Sequence, residues 1–554
     1  MKYTVNITVN PTDEKNEVLI KKLALIEILK SDKNLSFSDI SKMVFVKKSI
    51  DARHGQVKFH LRYDVYTGKA DEINAEMEQS GFSPKWKNAD PKKRVLIIGS
   101  GPAGLFSAFS LLEKGITPVI VERGPETSQR KIDIADISRL GKINENSNYC
   151  FGEGGAGTFS DGKLYSRSNK RGNISNVLQL FNYFGADSSI LTDAHPHIGT
   201  DKLPKIIESM ISEIQKLGGE VFFNTLFLDL LVEPKSNSEK KVCKGISVLD
   251  LKTSEKREIL GDSVILACGH SSPEVYEKLY SIAPNSVEAK SFAVGVRLEH
   301  PLTVIDKIQY HGKERGETLP AAEYRLTTQV QERGVYSFCM CPGGFVVPSS
   351  SSPDGIVVNG MSSSDRNSAW SNAAIVVEIR PEDICDNHSV LEMLKFRTNI
   401  EQTAKSEAQK ELSKINEASE VVEKNNPQTA PAQRLEDFLN GKNSRTLPKS
   451  SYIPGLVPSR LDKWLPAFIV NRLKQAFFDY DRNMHGLICE EAVLIAPETR
   501  TSTPVRILRD KETFENPVIE GLFPAGEGSG YAGGIVSSAM DGQNVATVIS
   551  KKYV

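Results

Sequence analysis

The feature that most constrains the fold is a glycine-rich turn between an apolar strand and a helix. Residues 94–105 read RVLIIGSGPAGL, so a buried strand pattern runs directly into Gly-x-Gly-x-x-Gly. Residues 106–114 then continue with helical spacing. Strand, glycine turn and helix in this order begin a βαβ unit, which predicts an α/β fold with a doubly wound, Rossmann-like sheet.

Each glycine of this turn has its own physical task. Gly99 permits the tight turn, Gly101 lets the backbone approach a pyrophosphate, and Gly104 lets helix and strand pack closely. Pro102 and Ala103 begin the helix, where unpaired N–H groups and the helix dipole favour a diphosphate. These five residues are therefore predicted to bind a dinucleotide; a glycine turn without a ligand is the weaker interpretation.

A second apolar strand, residues 117–121, supplies the next part of the predicted site. It ends at Glu122, 18 residues beyond Gly104, and Arg123 follows. A carboxylate at this strand end accepts hydrogen bonds from adenosine ribose hydroxyls and repels a 2′-phosphate. Glu122 and Arg123 are therefore assigned to the cofactor site.

Two distant segments favour FAD over NAD, which glycine spacing alone does not distinguish. One is an apolar strand that ends in a turn at Gly269; the other brings Glu527 beside Gly526 and then begins a helix near Gly534 and Ile535. A carboxylate there suits a ribitol hydroxyl. The helix N-terminus would place partial positive charge near the flavin N1/O2 edge. FAD is the predicted cofactor.

With these segments in view, the chain resembles the glutathione-reductase-type FAD superfamily, and within it the bacterial family of uncharacterised FAD-dependent dehydrogenases. The resemblance spans nearly the whole chain. It is carried by residues 49–53, 151–164, 339–344, 359–362 and 498–502. It implies bound FAD and the fold of a flavoprotein oxidoreductase, and it supplies no substrate.

The chain departs from the superfamily pattern at two points. Glu527 stands where Asp is commoner, but a Glu side chain can still reach a hydroxyl, so only the exact contact is left open. A second strand–GxGxxG–helix unit is not found in the sequence. If NAD(P)H donates electrons, it must therefore bind transiently or at a different surface.

The run 152–163 is too glycine-rich for a core segment and is expected to lie against the isoalloxazine ring, with a surface loop as the alternative. The residues assigned there are Gly154, Gly155, Gly157 and Thr158. Asp161 and Lys163 are candidates for flavin or substrate contact, but an ordinary exposed ion pair is equally compatible with the sequence.

Four residues are candidates for catalysis. His270 follows the Gly269 turn, where it could transfer a proton, although a packed or solvated histidine is the default. Arg500, with Arg506, could hold an anionic substrate, although a structural arginine is favoured. Cys339 and Cys341 form Cys-x-Cys and complete the set.

The Cys339–Cys341 pair allows three interpretations. Both side chains of an extended strand would face the same way, which suits a redox pair, but a ring closed through one intervening residue would be strained. No second pair has the spacing of a four-ligand zinc site, so no metal site is assigned. Inert thiols are the favoured interpretation.

Pattern changes along the chain divide it into four segments. Residues 1–88 form a small α/β unit with a ferredoxin-like packing of two strands and helices, and residues 89–290 form the first part of the FAD-binding domain. Residues 291–495 form an inserted cap whose polar stretch 387–449 is expected to be helical. Residues 496–554 return to the FAD-binding domain. The substrate is expected to be a small anionic molecule that binds between the cap and the flavin.

Charge and composition exclude several classes of protein. The 69 Lys and Arg nearly balance the 70 Asp and Glu, so the chain is not a globally basic nucleic-acid coat. No apolar run approaches the length of a membrane span. The N-terminus lacks the apolar core of a signal peptide, and seven cysteines suit a reducing compartment, so a cytoplasmic protein is expected.

The function hypothesis is an FAD-dependent dehydrogenase or reductase. The alternative is a flavin-containing RNA-binding or tRNA-modifying protein, motivated by the basic cluster Lys47, Lys48, Arg53 and His54. A solvated charged face is the favoured interpretation of that cluster. A third hypothesis makes FAD purely structural. The oligomeric state is not predicted.

Overall fold

The computed structural model describes residues 1–53, 55–68, 82–165, 172–312, 315–418 and 425–553. The helices are α1 (Glu17–Leu29), α2 (Pro102–Leu112), α3 (Thr127–Leu140), α4 (Ile174–Tyr183), α5 (Leu203–Lys216), α6 (Pro273–Ile282), α7 (Leu302–Gln309), α8 (Val390–Ala418), α9 (Leu435–Asn440), α10 (Leu461–Trp464), α11 (Ala467–Asn483) and α12 (Ile535–Ser550).

The strands in the first half of the chain are β1 (Lys2–Val9), β2 (Ile40–Asp51), β3 (Lys58–Thr67), β4 (Asp90–Ile98), β5 (Ile116–Val121), β6 (Glu220–Phe222), β7 (Thr225–Pro234), β8 (Lys241–Asp250), β9 (Lys256–Leu260) and β10 (Val264–Leu266). The later strands are β11 (Val287–Ala289), β12 (Phe292–Pro301), β13 (Thr327–Val330), β14 (Arg333–Cys341), β15 (Phe345–Pro348), β16 (Val358–Met361), β17 (Trp370–Ile379), β18 (Ala430–Arg434), β19 (Leu456–Pro458), β20 (Val493–Glu498), β21 (Val505–Ile507), β22 (Ile519–Glu520) and β23 (Leu522–Pro524).

The N-terminal unit is a three-stranded antiparallel sheet in the order β1-β3-β2, with α1 packed against β1. The expectation of two strands is therefore wrong, because β2 was missed. Two register shifts in β2 explain the omission: they interrupt the alternation of buried and exposed side chains by which a strand is recognised. Backbone hydrogen bonds join Lys48 of β2 to Thr192 and Ala194.

The centre of the molecule is a parallel five-stranded sheet in the order β23-β10-β4-β5-β6. Its β4-α2-β5 unit is the βαβ element expected from the glycine turn. Helices α2, α5 and α12 cover one face. The other face packs against α6 and an antiparallel layer of β7 and β8, so that this sheet is covered by strands as well as helices.

The C-terminal segment returns to this central sheet, as expected. β23 pairs in parallel with β10, and α12 packs on α2. The two helices approach closely at Gly542, where a Cβ would lie 2.1 Å from the Ala103 carbonyl oxygen. The last helix is thereby held against the predicted dinucleotide turn.

A second large sheet has seven strands in the order β13-β14-β17-β12-β20-β18-β19. Helices α7 and α11 bury their apolar faces against it. The stretch 387–449 contributes the expected helices α8 and α9, but also β18, and residues 419–424 lie outside the described residues. Across the described part of the chain, no helix combines the length and apolarity needed to cross a bilayer.

Candidate functional site

A long cleft of about 380 Å³ lies where the turns of the parallel sheet meet the edge of the seven-stranded sheet. Glu122 follows β5 and Glu527 follows β23, and both line this cleft. From the seven-stranded sheet and the strand beside it come Phe338, Cys339 and Asn359. The two carboxyl residues that the sequence assigned to opposite ends of one cofactor therefore share a single cavity.

Most residues assigned from the sequence line the cleft. Those of the cofactor set are Gly99, Gly101, Pro102, Ala103, Glu122, Arg123, Gly155, Gly157, Gly269, Gly526, Glu527, Gly534 and Ile535. Those of the catalytic set are His270, Cys339 and Arg500.

Four assigned residues lie behind the cleft wall: Gly104, Gly154, Thr158 and Cys341. A Cβ on Gly104 would lie 2.0 Å from the Gly99 carbonyl oxygen, so this residue packs α2 against β4. A Cβ on Gly154 would lie 2.1 Å from Thr158 Oγ1, which donates a hydrogen bond to the Glu153 carbonyl oxygen at 2.8 Å. Gly154 and Thr158 therefore pack against each other within the loop, and their contact with a cofactor stays a prediction.

The glycine turn is held by two neighbouring segments. Gly99 has φ +101°, and a Cβ there would lie 2.5 Å from the Ala267 carbonyl oxygen at the end of β10. Gly155 of the 152–163 loop approaches the turn so closely that its Cβ would lie 2.9 Å from Gly101 Cα. Glycine at these positions lets three backbone segments meet at one end of the cleft.

Two helices begin at the cleft without side-chain caps. Gly101 is the N-cap of α2 and Gly534 is the N-cap of α12, and neither helix start receives a side-chain capping hydrogen bond. Pro102, Ala103 and Ile535 line the cleft just beyond these caps. The unpaired N–H groups and the helix dipoles make both ends suitable for anionic or carbonyl oxygens.

Glu122 is nearly fully buried and accepts four hydrogen bonds. Ser100 donates from its amide at 3.0 Å and its hydroxyl at 2.8 Å, and the amides of Gly124 and Gly152 each donate at 3.0 Å. A carboxylate has about four lone-pair directions. A ribose hydroxyl would therefore share Glu122 with these backbone donors rather than meet a free carboxylate.

A buried arginine that the sequence analysis missed shapes the loop beside Glu122. Arg130, in α3, has no exposed surface and donates hydrogen bonds to the carbonyl oxygens of Asn148, Tyr149, Gly152 and Glu153. Burial lowers the pKa of Arg130 to about 10, so the guanidinium stays charged at neutral pH. Nothing in the local pattern of a helical arginine distinguishes it from a solvated one.

His270 and Glu527 form the titratable pair of the cleft, with His270 Nδ1 3.8 Å from Glu527 Oε1. Burial raises the pKa of Glu527 to about 7. Burial, with the nearby cations Arg397 and Arg500, lowers the pKa of His270 to about 3. At neutral pH the imidazole is therefore neutral, and the carboxyl group is divided between its two protonation states.

The two arginines proposed for an anionic substrate are already paired with carboxylates. Arg500 donates to Glu401 from Nε at 3.2 Å and from its terminal nitrogen at 2.9 Å, and it also donates to Ser351 at 2.6 Å. Arg506 lies 2.8 Å from Glu288. Neither guanidinium brings uncompensated positive charge to the cleft, so the structural role is the better interpretation.

Lys163 and Asp161 both line the cleft and form an ion pair at 3.1 Å. The carboxylate of Asp161 is almost fully buried and also pairs with Arg366 at 3.2 Å. The interpretation as an ordinary exposed pair is therefore wrong. The Lys163 ammonium reaches Cys339 and Cys341, whose sulfurs lie 4.0 Å apart.

The basic cluster of the N-terminal unit is partly neutralised. Lys48 pairs with Glu14 at 2.5 Å, and Arg53 pairs with Asp51 at 2.7 Å. His54 lies outside the described residues. Paired cations offer less attraction to a phosphate backbone than free ones.

Several cleft residues carried no sequence signal that distinguished them. They include Cys150, Tyr165, Leu226, Phe227, Cys268, Ser271, Ser272, Glu274 and Phe338. Phe151, Asn359 and Thr501 also line the cleft; they lie in segments that carry the family resemblance but were not singled out. Most lie at strand ends or in turns whose proximity depends on the tertiary fold.

Comparison with known proteins gives three family matches. Residues 291–501 match "FAD-dependent protein, C-terminal domain-like", residues 92–135 match an FAD binding domain, and residues 1–66 match a domain of unknown function (DUF8436). An uncharacterised protein of Clostridium beijerinckii is 36% identical over 562 residues, which cover 99% of this chain and 98% of that protein.

Solved structures resemble the chain only weakly. A geranylgeranyl bacteriochlorophyll reductase-like protein of Thermoplasma acidophilum is 13% identical, with a TM-score of 0.33, over 83% of this chain and 79% of its own. CtdE, solved in complex with FAD, is 12% identical with a TM-score of 0.30, over 82% and 84% of the two chains. Likenesses this weak carry no information about activity.

Proposed function

Because this chain belongs to the family of FAD-dependent proteins that includes the Clostridium beijerinckii protein, we propose that it is an FAD-dependent oxidoreductase of the dehydrogenase or reductase type. FAD is its cofactor. The observation that carries the proposal is the single cleft lined by both Glu122 and Glu527. Membership in the glutathione-reductase-type superfamily is part of the same proposal.

The cleft residues suit the separate parts of FAD. The Gly99–Ala103 turn and the open N-terminus of α2 suit the diphosphate, and Glu122 suits the adenosine ribose. Glu527 suits the ribitol hydroxyls. The uncapped N-terminus of α12 suits an electron-rich edge of the flavin ring.

FAD supplies the two-electron chemistry when it is bound. Near neutral pH the carboxyl group of Glu527 can give or take a proton. The imidazole of His270 stays neutral at this pH and offers one N–H donor and one nitrogen acceptor for hydrogen bonds. Phe338 and Phe227 provide apolar surface in the cleft. The substrate would lie against Cys339 and Asn359, between the segment 291–495 and the flavin.

The alternative of an RNA-binding or tRNA-modifying flavoprotein has less support. Two of the four residues that motivated it, Lys48 and Arg53, are paired with carboxylates of the same unit. Salt-dependent RNA binding that is lost on substitution of Lys47 and Lys48 would favour this alternative.

Anaerobic stopped-flow reduction tests the proposed function. The purified flavoprotein is mixed with NADH or NADPH, and the flavin absorbance is followed; after dithionite reduction, reoxidation by oxygen, a quinone and a disulfide is followed in the same way. We expect at least one electron donor and one electron acceptor to react faster with the flavoprotein than with free FAD. Purely structural FAD would react with none of them at such a rate, which would overturn the proposal.

A further inference from the structure

Cys339 and Cys341 lie at the end of β14, where the strand loses its regular geometry. Residues two apart in a regular strand are separated by roughly 6.6 Å along the chain axis. Here the register of β14 against β17 shifts between Phe338 and Cys341, and Cys339 has φ +45°. Such a backbone conformation is rare for a residue other than glycine. The irregularity brings the two sulfurs to 4.0 Å.

Two cations face this pair of sulfurs: Arg297 is fully buried, and Lys163 is partly exposed. Lys163 Nζ lies 3.8 Å from Cys339 Sγ and 3.7 Å from Cys341 Sγ, and it also donates to the Met340 carbonyl oxygen. Arg297 donates to the Cys339 carbonyl oxygen at 2.6 Å and lies 3.9 Å from Cys341 Sγ. Positive charge at this distance favours a thiolate.

The two cysteines differ in protonation and in access. The hydrogen bond from the Cys341 thiol, with Lys163 and Arg297, lowers the pKa of Cys339 to about 5, although burial and the Asp161 carboxylate oppose this. The same hydrogen bond and burial raise the pKa of Cys341 well above its ordinary value. Cys339 lines the cleft, whereas Cys341 is fully buried behind it. Cys339 is thus an accessible nucleophilic thiolate, and Cys341 is a buried, protonated thiol beside it.

We propose that Cys339 and Cys341 form a redox-active dithiol that reduces a disulfide-bearing substrate bound in the cleft. As an assignment of substrate class, this inference rests on the proposed function. The thiol–disulfide exchange itself requires no flavin, so it can be tested separately.

The exchange balances in two steps. The Cys339 thiolate attacks one sulfur of the substrate disulfide, the substrate S–S bond breaks, and the first substrate thiolate leaves. Cys341 then gives its proton to that leaving thiolate and attacks Cys339 Sγ, which releases the second thiolate to be protonated by solvent. Two electrons pass from the dithiol to the substrate: one disulfide becomes two thiols, and the protein gains a Cys339–Cys341 disulfide.

Thiol mapping of the full-length holoprotein tests the proposal, with oxidised glutathione as the probe. All seven cysteines have free thiols before treatment. After exposure to oxidised glutathione, alkylation and mass spectrometry should show that two thiols are lost and that Cys339 is linked to Cys341. The control Cys385→Ser alters a cysteine outside the cleft lining and should still lose these two thiols.

Two variants examine the separate roles of Cys341 and Lys163. Cys341→Ser should trap a glutathione adduct on Cys339, because the second attack is removed. Lys163→Met should slow alkylation of Cys339 by iodoacetamide about tenfold or more at neutral pH, whereas Lys205→Met, at an exposed position of α5, should not.

A wild-type protein that keeps both thiols under conditions that oxidise dithiothreitol would overturn the proposal, even if Cys341→Ser fails to fold. Adducts on both cysteines without a link between them would overturn it too. FAD absorbance is recorded in parallel. If the protein holds reducible FAD but shows no thiol–disulfide exchange, only the proposal of a redox-active dithiol is contradicted. If exchange occurs without reducible FAD, only the proposed function is contradicted.

Discussion

Glu153 gives the stability of this protein a pH dependence that can be traced to one residue. It is almost fully buried, accepts a hydrogen bond from the Thr127 amide at 2.7 Å, and has a pKa raised from 4.5 to about 7, chiefly by burial. A pKa raised in the folded state stabilises the fold below pH 4.5, and that contribution is lost as the pH rises through 7.

Glu153→Gln should therefore remove the loss of stability that accompanies a rise in pH. Between pH 5 and 8.5, the free energy of unfolding of the wild type should fall by about 2–3 kcal/mol relative to the variant. Thermal unfolding across this pH range measures the difference, with exposed Glu145→Gln as the control. Parallel curves for wild type and Glu153→Gln would contradict the expectation.

Gly104 is the residue on which the packing of α2 against β4 depends most directly. A Cβ at this position would lie 2.0 Å from the Gly99 carbonyl oxygen and 3.2 Å from Ile97 Cγ2. Gly104→Ala must therefore push helix and turn apart. We expect a loss of stability of about 1–3 kcal/mol and at least tenfold weaker FAD binding.

Fluorescence titration of the apoprotein with FAD measures this loss of affinity. Gly334→Ala is the matched control, because its Cβ would meet no atom closer than 3.6 Å. Equal FAD affinity in the Gly104→Ala and Gly334→Ala variants would show that the close approach is not required.

Single residues were predictable where the requirement is local. Gly99 and Gly104 were found because a tight turn and a close approach are encoded in the strand–turn–helix order itself. Arg130 and Glu401 were not found because their partners come from elsewhere: the carbonyl groups of residues 148–153 for Arg130, and Arg500 for Glu401. A pairing that only the tertiary fold creates leaves no mark on the neighbouring sequence.

At the scale of elements, one guanidinium joins five strands beside the cleft. Arg297 of β12 is fully buried and donates to Asn372 of β17, Asn359 of β16 and Glu498 of β20, each at 2.9 Å, and to the Cys339 carbonyl oxygen of β14. These bonds hold the edge of the seven-stranded sheet that faces the cleft.

Arg297→Met should lower the free energy of unfolding by about 3–5 kcal/mol, because it leaves the buried carboxyl group of Glu498 without its partner. The double variant Arg297→Met/Glu498→Gln should recover part of this loss. Denaturant unfolding of both variants and of Glu498→Gln gives the coupling energy. A double variant as unstable as the sum of the two single variants would show that the pair is not coupled.

Elements were predictable where their periodicity is undisturbed. The βαβ unit formed by β4, α2 and β5 follows the expected pattern. The strand β2 was missed because its register shifts break the period of two. The sheet content of residues 387–449 was missed because the long helical pattern of α8 dominates that stretch, while β18 is five residues long.

At the scale of the whole molecule, the C-terminal segment packs against a sheet that begins early in the chain. β23 and α12 return to the sheet that begins with β4, and this return brings Glu527 into the cleft of Glu122. The convergence was predictable because each segment carries its own motif. The substrate was not predictable, because the segments 339–344 and 359–362, which bring Cys339 and Asn359 to the cleft, resemble a family that supplies no substrate.

Competition among FAD, FMN and ADP for the apoprotein tests most directly whether one cofactor spans this cleft. The fluorescence of each flavin is titrated with apoprotein, and ADP is then added to the FAD complex. If both ends of the cleft are used, FAD should bind at least a hundredfold more tightly than FMN, and ADP should displace it competitively. Equal affinity for FMN and FAD, with no displacement by ADP, would contradict a cofactor that reaches from Glu527 to Glu122.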